Sequence, residues 1–173
     1  MTVVKVGGSL FDHPKLGPGL SRWLRDRTGD ERFLLVPGGG PFAEAVREMH
    51  RTHGLSQEAS HWLALGTLTV TAGLLRHLVP GHEVVDCHAF ALSDEGRPGA
   101  LEHSWRVTTD AIAARVARVE RADRIVLLKS VEMTPFTDWP DAHRRGWVDA
   151  AFAEAVGDLP VEAVNFRAWL DGG

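Results

Sequence analysis

A chain of 173 residues is long enough to bury one sizeable core and short for two, and its formal charge of −4, with 44% hydrophobic and 24% charged residues, lacks the basic excess of a nucleic-acid binder. The single cysteine, Cys87, has no intrachain partner, and the N-terminus runs directly into a valine-rich stretch with no charged leader. The longest apolar stretch, Trp62 to Val79, is interrupted by Gly66, Thr67, Thr69, Thr71, Gly73, Arg76 and His77, so the expectation is a cytoplasmic protein that enters no membrane and binds no nucleic acid.

Thr2 to Val6 is a β-branched run that stops at Gly7-Gly8-Ser9, and Phe33 to Val36 repeats the arrangement before Pro37-Gly38-Gly39-Gly40-Pro41; both predict buried strands ending in tight turns. Phe42, Val46, Met49 and His53 then recur at helical spacing, placing them on one face of a helix that Gly54 ends. A long helix follows from about Gln57 to Val79, stopped by Pro80-Gly81, and Glu83 to Asp86 predicts a strand. Ser93 to Gly99 has loop composition. Thr108 or Thr109 caps a helix whose core stripe is Ile112, Val116 and Val119, and Ile125 to Leu128 is an apolar strand leading into Lys129. After a turn-rich segment, Thr134 to Gly146, a short helix near Val148 to Val156 precedes a last strand, Val161 to Val164. Strands that are apolar throughout, alternating with helices, predict an α/β fold with helices on both faces of a mainly parallel sheet. Residues 1–173 form a single domain in this scheme.

In such sheets ligands gather at the carboxyl ends of the strands, where Gly7-Gly8, Gly38 to Gly40 and Lys129 all fall. Glycine turns let backbone amides approach a phosphate without Cβ interference, and a following helix adds its positive end. Neither turn is a P-loop or a G-x-G-x-x-G, and each alone also fits a sharp corner needing positive φ. Arginine supplies most of the basic residues, leaving only Lys5, Lys15 and Lys129 as lysines. Lys5 lies inside an apolar strand two positions before its turn, and Lys129 ends the most apolar strand. Two lysines flanking two backbone cradles suit phosphoryl transfer, which needs positioning and cationic stabilisation; either lysine alone could equally snorkel to solvent.

The segments K-V-G-G-S-L (Lys5 to Leu10), V-P-G-G-G-P-F-A (Val36 to Ala43), H-S-W-R-V-T-T-D-A-I-A-A (His103 to Ala114) and I-V-L-L-K-S-V (Ile125 to Val131) resemble, in order, the amino acid kinase family, from Val3 to about Asn165. That family includes kinases of acetylglutamate, glutamate, aspartate, uridylate and isopentenyl phosphate. His61-Trp62-Leu63-Ala64, His103-Ser104-Trp105 and Gly146-Trp147-Val148-Asp149 resemble most its small branch that phosphorylates aminomethyl-furanmethyl phosphate in methanofuran assembly.

The resemblance implies a three-layer αβα sandwich and an ATP-dependent kinase using Mg²⁺. It assigns Lys5 to the transferring phosphoryl group, the amides of Gly7, Gly8, Gly38 and Gly39, beside Gly40, to donor and acceptor oxygens, and Asp110 to organising the lysines. Asp110 is also explained by its place in the first turn of a helix. Ser9 is either a contact to phosphate or Mg²⁺-bound water, or a cap. Lys129 contacts either the transferred group, the acceptor or the β-phosphate. The family's T-D-V-D-G turn after this lysine is replaced by Ser130-Val131-Glu132-Met133, so residues of about 125–173 make a shortened nucleotide portion in which Phe136, Trp139 and Trp147 are candidate adenine-stacking surfaces.

His50 and His53 have metal-like spacing, yet no second pair completes a zinc set, and no protein-held metal is expected. Cys87 is expected as a small buried hydrophobe. Ala59, Gly66 and Gly73, seven apart, make a small-residue stripe for close helix contact, which with the family resemblance predicts a homodimer. The acceptor is expected to be a phosphomonoester, with a carboxylate such as an acyl amino acid, or non-catalytic binding of a phosphate ligand, as alternatives.

Overall fold

The computed structural model of the chain describes residues 1–27, 31–133 and 138–172. Five parallel strands, β1 (Thr2–Val6), β2 (Phe33–Pro37), β3 (Glu83–Val84), β4 (Arg124–Lys129) and β5 (Val161–Asn165), form one sheet in the order β3-β2-β1-β4-β5. Every residue of β1 and β2 is buried, as expected of parallel strands covered on both faces.

The helices are α1 (Leu16–Asp26), α2 (Gly40–His53), α3 (Gln57–Leu78), α4 (Cys87–Asp94), α5 (Thr109–Val119), α6 (Trp139–Arg144), α7 (Phe152–Val156) and α8 (Phe166–Gly172), with a 3₁₀ turn over Gly8–Asp12. Side-chain alternation along the strands sorts them into two cores. Val3, Val36, Ile125 and Leu127 pack with Ala111, Ile112 and Val116 of α5 and Phe152 of α7 on one face. Val4, Val6, Leu35, Val126 and Leu128 pack with Leu20 and Leu24 of α1 and Phe166 of α8 on the other. The long α3 serves both, giving Leu65 and Leu68 to the first core and Ala72 and Leu75 to the second. The architecture is the expected three-layer sandwich.

Several boundaries differ from the sequence expectation for identifiable reasons. The strand at Glu83 ends at Val84, because Asp86 turns to cap α4, its Oδ1 accepting from the amides of His88 and Ala89. The helix expected near Val148 to Val156 begins only at Phe152, since Asp149 is engaged with α5. Within the turn-rich Thr134 to Gly146, Asp138 accepts from the amide of Asp141 and starts α6. Helix α2 exists and ends at Gly54 in the left-handed conformation (φ 61°), but it buries none of its residues; Phe42 and Met49 remain 42% and 46% exposed. It packs on α3 and on the 3₁₀ turn beyond the strand ends, so its apolar stripe never reaches the sheet. Val119, expected in the α5 core stripe, is only partly buried.

Candidate active site

Register brings the three chemically distinctive strand ends together. Lys5 pairs with Val36 on one side and Leu127 on the other, and Lys129 lies two residues beyond Leu127. With a period of two, Val3, Lys5, Ile125, Leu127 and Lys129 share the sheet face that α5 covers. Asp110 stands in the first turn of that helix. Its Oδ1 lies 2.9 Å from Lys5 Nζ, while Lys129 Nζ donates to both carboxylate oxygens at 2.7 and 2.8 Å.

All three side chains are buried. Burial alone would raise the Asp110 carboxyl, but the two ammonium groups outweigh it and hold the acid below its ordinary value. Burial drives Lys129 down, the charge of Lys5 adds to that, and Asp110 restores only part, leaving the ammonium at about 8. Two cations therefore face one anion in a low-dielectric pocket, an arrangement that favours the arrival of further negative charge.

The two glycine turns touch. A Cβ on Gly8 would lie 2.4 Å from the amide nitrogen of Gly40, and one on Gly38 would lie 2.3 Å from that of Gly8. Only glycine permits this approach of backbone to backbone, and Gly40 adds a positive φ of 56° as it opens α2. The amides divide into two sets, which corrects the expectation that Gly7, Gly8, Gly38 and Gly39 all hold ligand oxygens. Gly7 donates to the Leu128 carbonyl at 2.9 Å and Gly38 to that of Val6 at 2.8 Å, because the sheet ladder continues one residue past each strand. Gly8, Gly39 and Gly40 keep amides with no backbone acceptor among the described residues. Ser9 caps no helix; its Oγ lies 2.8 Å from Ser130 Oγ and ties the first turn to the segment after β4.

Asp149 enters the site without having been assigned a role from sequence. Thr108 precedes α5, yet its hydroxyl does not cap the helix. Asp149 Oδ2 instead accepts from the amides of Thr108 and Ala111 at 3.0 and 2.9 Å, and from the Thr108 hydroxyl at 2.8 Å. Burial, with the charge of Asp110 close by, raises its carboxyl above the ordinary value despite these bonds. A carboxylate nearly forty residues downstream in the chain leaves no local pattern from which this role could be read.

Asp110, Lys129, Asp149 and Trp147 line an open cleft, and a smaller cavity adjoins it beside Gly39, Gly40, His61 and Thr109. Arg47 and Trp105 border both. Of the candidate stacking surfaces, Trp147 lines the cleft with the Arg145 guanidinium 5.0 Å from its ring centroid. Trp139 lies partly buried against the core, meeting Phe152 edge-on at 4.9 Å, and Phe136 lies outside the described residues. His50 is held by Ser60 at 2.7 Å and His53 is exposed, so their spacing assembles no ligand pair. Cys87 is fully buried, and burial with Asp86 nearby pushes its thiol up to about 12.

No protein-family model matches the chain. It is 23% identical over 148 residues to a [5-(aminomethyl)furan-3-yl]methyl phosphate kinase of Methanocaldococcus jannaschii, an alignment covering 76% of this chain and 67% of that one. Its fold matches uridylate kinase from Archaeoglobus fulgidus with a TM-score of 0.67 at 20% identity, covering 99% of this chain and 95% of the other. UMP kinase from Bacillus anthracis matches with a TM-score of 0.61 at 16% identity, covering 99% and 92%. The chain resembles the first of these kinases in sequence and shares the fold of the other two. Its sandwich is the amino acid kinase fold, and the Lys5, Asp110 and Lys129 cluster occupies the strand ends where α/β folds of this kind take their ligands.

Proposed function

We propose that this chain is a member of the amino acid kinase family and a small-molecule kinase, transferring the γ-phosphoryl group of ATP to an acceptor bound beside the second glycine turn. The observation that carries the proposal is the buried pair of ammonium groups on one carboxylate, abutting two turns whose Gly8, Gly39 and Gly40 amides lack backbone acceptors among the described residues. An acceptor oxygen attacks the γ-phosphorus in line, the bond to the β–γ bridging oxygen breaks, and ADP departs. Charge spreads over the γ-phosphoryl oxygens as this happens. Lys5 and Lys129 would stabilise those oxygens, with Asp110 fixing both ammonium groups in place. The free amides would hold flanking phosphate oxygens.

Mg²⁺ enters this scheme with the nucleotide, as part of the substrate. Among the described residues no group of three His, Cys, Asp or Glu side chains is arranged to hold a metal ion. A phosphomonoester is the favoured acceptor. It is ionised at neutral pH and needs no general base, and the relative from Methanocaldococcus jannaschii is named as a kinase of such a compound. An aminomethyl-furanmethyl phosphate acceptor, as in methanofuran assembly, is the first compound to test. We further propose a homodimer joined through the outer face of α3, where Leu63, Val70 and Leu74 are exposed and nothing lies within 4 Å of a Cβ on Gly66 or Gly73.

An ADP-release screen with Mg²⁺-ATP over phosphomonoesters, UMP and acyl amino acids tests the proposal, with thermal stabilisation followed in parallel. Turnover of a phosphomonoester is the expected result, and turnover of an acyl amino acid would move the acceptor to the carboxylates. Stabilisation by nucleotide with no turnover of any acceptor would instead indicate a binding protein, a reading favoured by Ser130-Val131-Glu132-Met133 where the family carries a glycine turn.

A further inference from the structure

Two buried side-chain N–H groups, Nε of Arg47 and Nε1 of Trp105, have no hydrogen-bond acceptor among the described residues. They belong to one stacked pair, with Arg47 Cζ 4.6 Å from the Trp105 ring centroid. Each is removed from water without receiving a protein acceptor in return, which folded proteins generally avoid unless the vacancy serves a ligand.

Trp105 is held in place from two sides. The Trp105 amide donates to Gln57 Oε1 at 3.1 Å, and His50 meets the indole edge-on at 5.9 Å while itself bonded to Ser60. Glu44 Oε1 lies 3.4 Å from Arg47 Nε but outside hydrogen-bond geometry, so it supplies a charge contact and leaves the N–H unmatched. Its side chain is 72% exposed, where solvent screens it. Arg47 and Trp105 form the wall shared by the cavity next to Gly39 and Gly40 and the cleft holding Asp110 and Lys129.

We infer that Arg47 and Trp105 form an oxyanion subsite for the acceptor, Nε and Nε1 donating to a phosphate or carboxylate group that the acceptor carries into the site. Two donors, one of them formally charged, suit an anion and offer nothing to a cation. Stacking on the indole covers the face of the guanidinium and leaves its edge N–H groups to make contact, which fixes the direction from which the anion is held. Besides Glu44, whose exposed carboxylate lines the same cavity, the titratable neighbour is His61, driven toward neutrality by burial and by His103, so it does not compete as a cation. The term acceptor rests on the kinase proposal; the anion subsite does not.

The test follows the indole N–H of Trp105 in ¹H–¹⁵N spectra of the full chain, assigned by its disappearance in Trp105→Phe. Methyl phosphate and sodium acetate are titrated separately at constant ionic strength. A saturable shift of the Trp105 resonance is expected with one of them, weakened about tenfold in Arg47→Gln, equivalent to about 1.4 kcal/mol. A response to methyl phosphate marks a phosphomonoester, and a response to acetate marks a carboxylate. Trp105→Phe keeps an aromatic face and removes the donor with the pyrrole half of the indole, so weaker methyl phosphate or acetate binding by calorimetry checks the same point should Arg47→Gln fold poorly. A resonance unmoved by both anions, or one titrating identically in Arg47→Gln, overturns the subsite. Once an acceptor is known, its KM should rise about tenfold in Arg47→Gln with the KM for ATP unchanged. An unchanged acceptor KM would remove the subsite and leave the kinase standing, whereas a responding indole in a protein with no turnover would do the reverse.

Discussion

Lys129 shows how a local environment tunes a charge. An ammonium at about 8 is only partly charged in mildly alkaline solution, and the arrival of a polyphosphate beside it favours the protonated form. Nucleotide binding should therefore take up protons near pH 8, visible as a dependence of the calorimetric binding enthalpy on the ionisation enthalpy of the buffer. The kcat/KM profile, which reports the free protein, should fall as pH rises through about 8, and the limb in kcat should lie higher because bound phosphate holds the proton. Lys129→Arg should abolish the proton uptake. Absence of uptake in the unsubstituted protein would place the nucleotide away from this ammonium. The stability of the cluster has its own sign. The Asp110 carboxyl is lowered on folding, so its contribution is present above the unfolded carboxyl value and is lost as pH falls through the lower, folded one.

At the scale of elements, α5 is held by a cap that comes from another part of the chain. Asp149 satisfies two orphan amides at the N-terminus of the helix that carries Asp110, so the cap also sets where Asp110 stands. Two opposing terms act on it: the cap stabilises by about 1 kcal/mol, while burial and the neighbouring Asp110 charge disfavour the ionised form. Asp149→Ala should lower stability by about 1 kcal/mol, shifting Tm by about 2–4 °C. Asp149→Asn keeps an acceptor oxygen and removes the charge, and should melt at or above the unsubstituted protein. The same scale explains the unburied α2. Its glycine-opened start is fixed by contact between the two turns, which directs the helix outward along α3, and the apolar spacing of Phe42 and Met49 could not disclose that direction.

For the whole molecule, the arrangement converts distant segments into one pocket. The sheet order places β1 between β2 and β4, so both glycine turns and both lysines meet at one edge although β4 follows β1 by more than a hundred residues. None of the described helices is long and apolar enough to cross a membrane. The proposed dimer face is testable independently of chemistry. Gly66→Leu puts a bulky side chain into open space on α3, so it should leave the fold intact and lower the sedimenting mass toward that of a monomer. An unchanged mass would locate any association elsewhere.

Local chemistry in the chain was sufficient for much of this. Glycine-terminated apolar runs announce buried parallel strands, the helical spacing after Gln57 announces α3, and Lys5 and Lys129 stand out because lysine is rare and each interrupts or ends an apolar strand. These features depend on neighbours within a few residues. Other features depended on tertiary structure: the Gly7 and Gly38 amides enter the ladder, Asp149 displaces Thr108 as the cap, Trp139 packs against Phe152, and Arg47 stacks on Trp105. Hydrophobic period records which side of an element is apolar, whereas the partner of a hydrogen-bonding group and the layer that covers a face are set by strand register and helix packing across long separations in sequence.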